Sequence, residues 1–267
     1  DYAENGTYQR YSGFEALNIA QSDIISAAEY NWKQAAVNIV QSGLELRSNS
    51  GKEQIVKLAA SRAKNGMRTF ANNLSIDLYS LGTADGSKQI GGLGAICTTD
   101  GTGTVGGINS ATFTFWANQF RSFSGSSTTA ILWSNMSNLW VSTTRGADTP
   151  NMIVAEAPVW QSVVNQMTIL QRYTDEDTKA NFGFTTVKYN GVPFFFEPVA
   201  AGITAGYLYM LNTDYLKLVV HDKANIEPMD DKFSVNQDGV VVPILFQGNL
   251  VCTNRARQGV GFGYTGL

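Results

Sequence analysis

Between Ser50 and Leu81 apolar residues return at steps of three and four: Val56, Ala60, Ala63, Met67, Phe70, Leu74 and Leu78. That spacing places them on one face of a helix, and no other regular structure produces it over such a length. Lys52, Glu53, Lys57, Arg62, Lys64, Arg68 and Asp77 fall mostly between those positions and face water or a partner. Ser50 with Glu53 three residues on forms a capping box, and Gly82 is a natural stop. About thirty residues rising about 1.5 Å each make a rod of about 45 Å, well beyond the usual globular helix. Gly66, mid-pattern, costs about 1 kcal/mol against alanine and marks the expected place for a bend. Such a rod alone reads as the core helix of an α+β domain, and its flanks decide whether it is more.

The flank before it is not a compact domain. Residues 1–13 are polar and aperiodic, with Tyr2, Tyr8 and Tyr11 spaced through them, an arm that orders only against something else. From Phe14 the pattern alternates: Leu17 and Ile19, then Tyr30 and Trp32, then Val37 and Ile39. Two strands joined near residues 22–28 would make a long hairpin, with a short helix through Ile24–Tyr30 as the competing reading. An isolated two-stranded hairpin is marginal in water, so this one needs a neighbouring surface.

After the helix, glycines at 82, 86, 91, 92, 94, 101, 103, 106 and 107 predict turns and loops. Ser126–Thr144 reads as a helix whose face is Leu132, Met136, Leu139 and Trp140. A short strand, Met152–Ala155, precedes a helix opened by Pro158 with Trp160, Val163, Val164 and Met167 on its face. Strands then gather. Phe184–Tyr189 and Val192–Phe196 join through Asn190-Gly191, and Tyr207–Leu211, Leu216–His221 and Val240–Asn254 follow. Helices early and strands late, with no βαβ repeat, make an α+β fold.

Composition narrows the functional classes. Charged residues are 15% of the 267, against about 25% in typical domains. Like charges keep free monomers apart, so a charge-poor surface points to an oligomer. A net charge of −3, without a Lys/Arg run, argues against a dedicated nucleic-acid binder. Cys97 and Cys252 form no disulfide framework and read as buried free thiols in a reducing compartment. The longest apolar run, Val240–Phe246, is too short for a membrane span, and no signal peptide is expected. The chain opens at Asp1 rather than methionine, which fits an N-terminal piece removed or missing.

No constellation carries catalysis. A lone histidine, His221, excludes HExxH sites, and no GxSxG elbow accompanies it. Gly91-Gly92-Leu93-Gly94 lacks the GKS/T of a phosphate loop and reads as connector. Asp175, Glu176 and Asp177 lack the glycine of a calcium loop, and Asp222, Glu227, Asp230 and Asp231 read as a charged surface loop. Arg255 and Arg257 read as an ordinary pair of strand arginines. No enzyme activity, metal or cofactor is expected.

One pattern is more specific. Pro150-Asn151-Met152-Ile153-Val154 is followed by a helix ending near Arg172-Tyr173, then Gly183-Phe184, then Tyr189-Asn190-Gly191-Val192-Pro193. Tyr207-Leu208-Tyr209-Met210-Leu211-Asn212 and the strand Gly248–Arg255 close the series, and Asn72-Asn73-Leu74-Ser75 stands near the end of the long helix. In that order, over nearly the whole chain, the sequence resembles the major capsid proteins of tailed bacteriophages, of the Hong Kong 97 type.

The resemblance implies an N-terminal arm (1–13), an extended hairpin loop (14–48) and a peripheral domain with a spine helix (49–88). An axial domain (89–232) and returning peripheral strands (233–267) complete it. It implies pentamers and hexamers in an icosahedral shell around double-stranded DNA, assembled in the bacterial cytoplasm and found in the virion. Portal, scaffold and decoration proteins are further implied partners, the DNA is held by nonspecific proximity, and no membrane is involved. The missing methionine also fits maturation cleavage.

Some relatives crosslink a hairpin lysine to an asparagine of a neighbour. Lys33 and Asn236 are the available pair, no local motif marks either, and no crosslink is expected. Tyr30 and Trp32 are the expected interface anchors, since aromatics dominate hot spots. Lys57, Lys64 and Arg68 are expected to face the interior. An encapsulin-like compartment shell is the rival within the fold; a secreted β-rich adhesin or carbohydrate-binding domain, and more remotely a hydrolase using His221 or Asp175, lie outside it.

Overall fold

The computed structural model describes residues 6–20, 27–48, 52–125, 129–171, 187–230, 232–233 and 238–266. Ser50, Arg172, Tyr173, Asp175, Glu176, Asp177, Gly183, Phe184, Asp231 and Asn236 lie outside them, as do the side chains of Val56, Lys57 and Met167.

The first regular element among the described residues is β1, Lys33–Ser42, in which half-buried and exposed residues alternate along its length. It is a strand, as its period demands, but its partner differs from expectation. Leu17 and Ile19 lie in irregular, exposed backbone, and the described residues 6–20 contain no strand. β1 instead pairs antiparallel with β11 (Gly239–Cys252), from Lys33 opposite Gly248 to Ser42 opposite Gly239. Val240-Val241-Val242-Pro243-Ile244-Leu245-Phe246 gives β1 a longer apolar ladder than Phe14–Ala20 can. A period of two identifies a strand and says nothing about its partner.

A short helix, α1 (Gly43–Ser48), leads to α2, Lys52–Tyr79, whose 28 residues run as one helix about 42 Å long. Gly66 is not a bend. It is buried, and a Cβ there would sit 3.2 Å from Ile39 Cγ1 and 3.6 Å from Ile244 Cδ1. The helix crosses the sheet at that point, and the missing side chain lets it come close. The buried stripe therefore runs through Gly66, Phe70, Leu74 and Leu78, while Ala60 and Met67, expected on it, are exposed.

Two single turns follow, α3 (Ala84–Ser87) and α4 (Leu93–Ile96), then a small hairpin of β2 (Thr104–Val105) and β3 (Ile108–Asn109). Gly92 and Gly94 pack against the last carbonyls of α2, where a Cβ would strike Leu78 O or Tyr79 O. The amides of Gly92 and Ala95 both donate to Ser80 O, so this stretch caps the helix end rather than cradling a phosphate.

The remaining elements build a second body: β4 (Gln119–Ser122), α5 (Thr129–Thr143), β5 (Met152–Glu156), α6 (Ala157–Gln171), β6 (Val187–Tyr189), β7 (Val192–Glu197) and β8 (Leu208–Leu211). Asn190 and Gly191 both take positive φ, as a tight hairpin turn requires. β9 (Leu216–Pro228) extends well past His221, so Asp222 and Glu227 stand in a strand and not in the expected loop. β10 (Lys232–Phe233), β11 and β12 (Gly259–Phe262) finish the chain.

Two sheets result. In the first, β11 pairs with β1, β9 and β10. The second has the order β4-β12-β8-β5-β7-β6, with β4–β12 and β5–β7 parallel. Alternate residues of β5 and β8 enter different cores. Val154, Tyr209 and Leu211 join Phe70, Ile96, Phe246 and Cys252 between the sheets. Ile153, Ala155, Leu208 and Met210 join Leu132, Met136, Leu139, Val159 and Val163 of α5 and α6. Strands covered on both faces read as unbroken apolar runs, which is why Met152–Ala155 and Leu208–Leu211 show no alternation.

Candidate subunit-interaction surfaces and the groove beside the closing strand

The chain leaves β11 at Cys252 and turns through residues 255–257 toward β12. Arg255 in that turn is fully buried. Its Nε donates to Ile96 O, Nη1 to Ser110 Oγ at 3.1 Å, and Nη2 to Thr98 Oγ1 and Thr102 O at 2.9 and 3.0 Å. All four acceptors are neutral. Burial pulls its pKa below the usual guanidinium value. The charge is held by carbonyls and hydroxyls, so it pins the loop from Ile96 to Ser110 onto the closing segment. Beside it Gln258 and Asn212 exchange two hydrogen bonds, Asn212 N to Gln258 Oε1 at 3.1 Å and Gln258 Nε2 to Asn212 O at 3.0 Å.

The closing segment also borders a groove of about 760 Å³ whose walls include Tyr30, Ile108, Trp116, Arg145, Tyr215 and Arg257. Tyr30 Oη donates to Cys252 O at 3.0 Å, and burial pushes the phenol up to about 12. Tyr215 Oη donates to Asp148 Oδ2 at 2.9 Å. The same oxygen lies 4.0 Å from Arg257 Nε, which is buried and makes no hydrogen bond.

No group of three or more His, Cys, Asp or Glu among the described residues is placed to hold a metal. His221 is exposed; its Nδ1 accepts from Lys223 N, and its ring meets Trp32 edge-on at 5.9 Å. Cys97 and Cys252 are both buried, and burial raises both thiols, Cys252 to about 12. No helix among the described residues is long and apolar enough to cross a membrane.

No protein-family model and no curated sequence matches the chain. Solved structures do. The chain is similar to the capsid asymmetric unit of cyanophage A-1(L), with a TM-score of 0.63 at 14% identity over 96% of this chain and 85% of that one. It is also similar to the capsid of Myoviridae phage XM1, with a TM-score of 0.53 at 13% identity over 87% and 74%. The chain has the Hong Kong 97-type capsid fold.

Within that fold the expected surface residues separate. Trp32 stands half-exposed at the start of β1, whereas Tyr30 is anchored in its own subunit through Cys252. Lys64 and Arg68 are exposed. Each lies two residues from Gly66, about 200° around the helix and so on the face away from the sheet. Lys33 Nζ donates to Ser87 O. Large exposed apolar side chains remain at Phe14, Leu17 and Ile19 before β1 and at Phe195, Phe196 and Val199 near the edge of the second sheet.

Sequence reading missed Arg255. An arginine after a strand carries no mark of burial, and its acceptors lie 145 to 159 positions away along the chain. The only available hint was the cluster of Thr98, Thr102 and Ser110 among glycines, a set of hydroxyls and free carbonyls in want of a donor.

Proposed function

We propose that this chain is the major capsid protein of a tailed bacteriophage, copies of which close into an icosahedral shell around double-stranded DNA. The likeness to a cyanophage capsid subunit over 96% of the chain carries the reading. Exposed apolar residues on the arm and on the edge of the second sheet support it, because large apolar patches on a free subunit mark surfaces that another chain covers. The division of labour follows the sheets. α2 with β9, β10 and β11 forms the peripheral body, α5 and α6 with the second sheet the axial body, and residues 1–32 with β1 the arm and loop. The pairing of β9 in the first sheet and of β12 in the second supports grouping residues 216–228 with the peripheral body and 259–262 with the axial one.

Lys57, Lys64 and Arg68 form the face of α2 toward the packaged DNA. Reversing all three charges lowers DNA retention, and unchanged packaging would remove that orientation. Lys33 is expected to form no covalent link to a neighbour, since no local motif marks it. Negative-stain microscopy of the expressed chain tests the whole reading. Closed shells are expected, a monodisperse monomer at every salt concentration overturns it, and shells that enclose protein instead of DNA turn it toward a cellular compartment.

A further inference from the structure

We infer that the groove beside the closing segment is a binding site for a small aromatic anion of the nucleotide class, a flat base carrying a 5′ phosphate. The inference goes beyond the shell reading and does not rest on it, because every wall of the groove comes from one chain.

What the groove offers follows from which of its polar groups are already engaged. The Tyr30 hydroxyl donates to Cys252 O at 3.0 Å, the Tyr215 hydroxyl to Asp148 Oδ2 at 2.9 Å, and the Trp116 indole N–H to Val105 O at 3.0 Å. Together with Phe115, these side chains therefore present mainly ring surface to an occupant. Two polar side chains of the wall have no partner among the described residues: the Asn254 amide and the guanidinium of Arg145. Arg145 commits its backbone amide and carbonyl to Asp148, and its side chain stands exposed.

The charge around the groove has one sign. Among the described residues that line it none is acidic, and two are arginines. Only 11% of the Arg257 side chain is exposed and its Nε is sealed, so Arg257 supplies field and Arg145 supplies contact. Asp148, 4.0 Å from Arg257, offsets part of that field. Arg255, next to Ala256 in the wall, adds to it, because all four of its acceptors are neutral. At Tyr30 burial is the larger influence, yet the Arg255 charge also acts on the phenol, in the direction that favours a negative charge. A walled cleft of positive potential concentrates anions.

Ring surface, a free guanidinium and a free amide ask for three things in one molecule. A base stacks on aromatic side chains whatever its identity. A phosphate meets Arg145 in a charge-assisted contact, and the Asn254 amide can both donate to and accept from a base edge. A neutral sugar would leave the positive field unanswered, and a bare inorganic anion would leave the rings uncovered. A groove of about 760 Å³ with one exposed arginine is the size of a small-molecule site and suits a single nucleotide, not a strand.

Adenosine 5′-monophosphate titrated into the purified subunit by calorimetry tests the site. Saturable binding that weakens as salt rises is expected, with adenosine alone and inorganic phosphate alone each binding several-fold more weakly. Arg145→Glu removes the contact and Ala256→Trp fills the groove; each is expected to weaken binding several-fold while circular dichroism stays that of the wild type. Absence of saturable binding to the folded wild type overturns the inference, as does binding that a folded Arg145→Glu leaves unchanged. A short DNA strand with a 5′ phosphate separates the two sources of this ligand. Binding as tight as that of the mononucleotide assigns the site to strand ends, and weaker binding assigns it to free nucleotides. Particles are not needed for the measurement, so a chain that binds the nucleotide and forms no shells overturns the shell reading alone.

Discussion

The two sheets of this subunit are built to opposite standards of self-sufficiency. In the second, β8 is buried along its whole length and β5 nearly so, with core on both faces. In the first, β1 alternates between half-buried and exposed, β9 is mostly exposed, and α2 covers one side of the pair. The inner strands of the second sheet are covered on both faces within one chain, whereas the first leaves one side open, and that difference is expected to separate substitutions that unfold the subunit from those that leave it folded.

The largest effect is expected where the loop from Ile96 to Ser110 is tied to the closing segment. Arg255→Met removes the donors to Ile96 O, Thr102 O and two hydroxyls, and although Thr98, Thr102 and Ser110 keep other hydrogen bonds, the guanidinium at the centre of the cluster is lost. A loss of about 4 kcal/mol is expected in chemical denaturation. A variant within 1 kcal/mol of wild type would mean that the fold does not depend on this pin.

The next contrast sets the sheets directly against each other. Ile153→Ala, fully buried in the second sheet, is expected to cost about 3 kcal/mol. Trp32→Ala, 52% exposed beside the first, is expected to leave the free subunit within about 0.5 kcal/mol while reducing particle yield. Equal effects on subunit stability, or normal yield from Trp32→Ala, would erase the distinction.

Alkali probes the core between the sheets. Burial raises Cys252 from 9.0, and Tyr30 and Tyr79 from 10.0, to about 12. Each group is harder to ionise in the folded chain. Their contribution to stability is therefore complete below pH 9 and is lost as pH climbs from 9 through about 12, while the unfolded chain ionises first. Equilibrium unfolding midpoints should hold level to pH 9 and then fall. Rapid thiol labelling of the native subunit at pH 9 would contradict the burial.

The smallest effect is expected at Gly66. Alanine gains about 1 kcal/mol of helix propensity. It also brings a methyl 3.2 Å from Ile39, which must give way. A net loss under about 1 kcal/mol is expected by thermal melting, and a clear gain would show that α2 and β1 can separate without cost.

Much of the fold was legible in local pattern. The period of α2, the alternation of β1, the apolar runs of β5 and β8, and the Asn190-Gly191 turn each declare a backbone conformation within a dozen residues. The surface was legible only in part. Trp32 could be picked out as an exposed aromatic, but Tyr30, two residues earlier in the same pattern, turned inward to Cys252.

By itself, then, the sequence determined which stretches are helix and strand, the α+β class, the absence of a recognisable catalytic set and the order of elements shared with capsid subunits. Tertiary structure alone decided who pairs with whom. β1 took β11 over the nearer Phe14–Ala20, Gly66 became a contact instead of a bend, and Arg255 became a buried pin. Conformation is set by neighbours along the chain, whose preferences repeat with a readable period. Partnership is set by which apolar faces and unpaired polar groups meet in space, and no period along the chain records that.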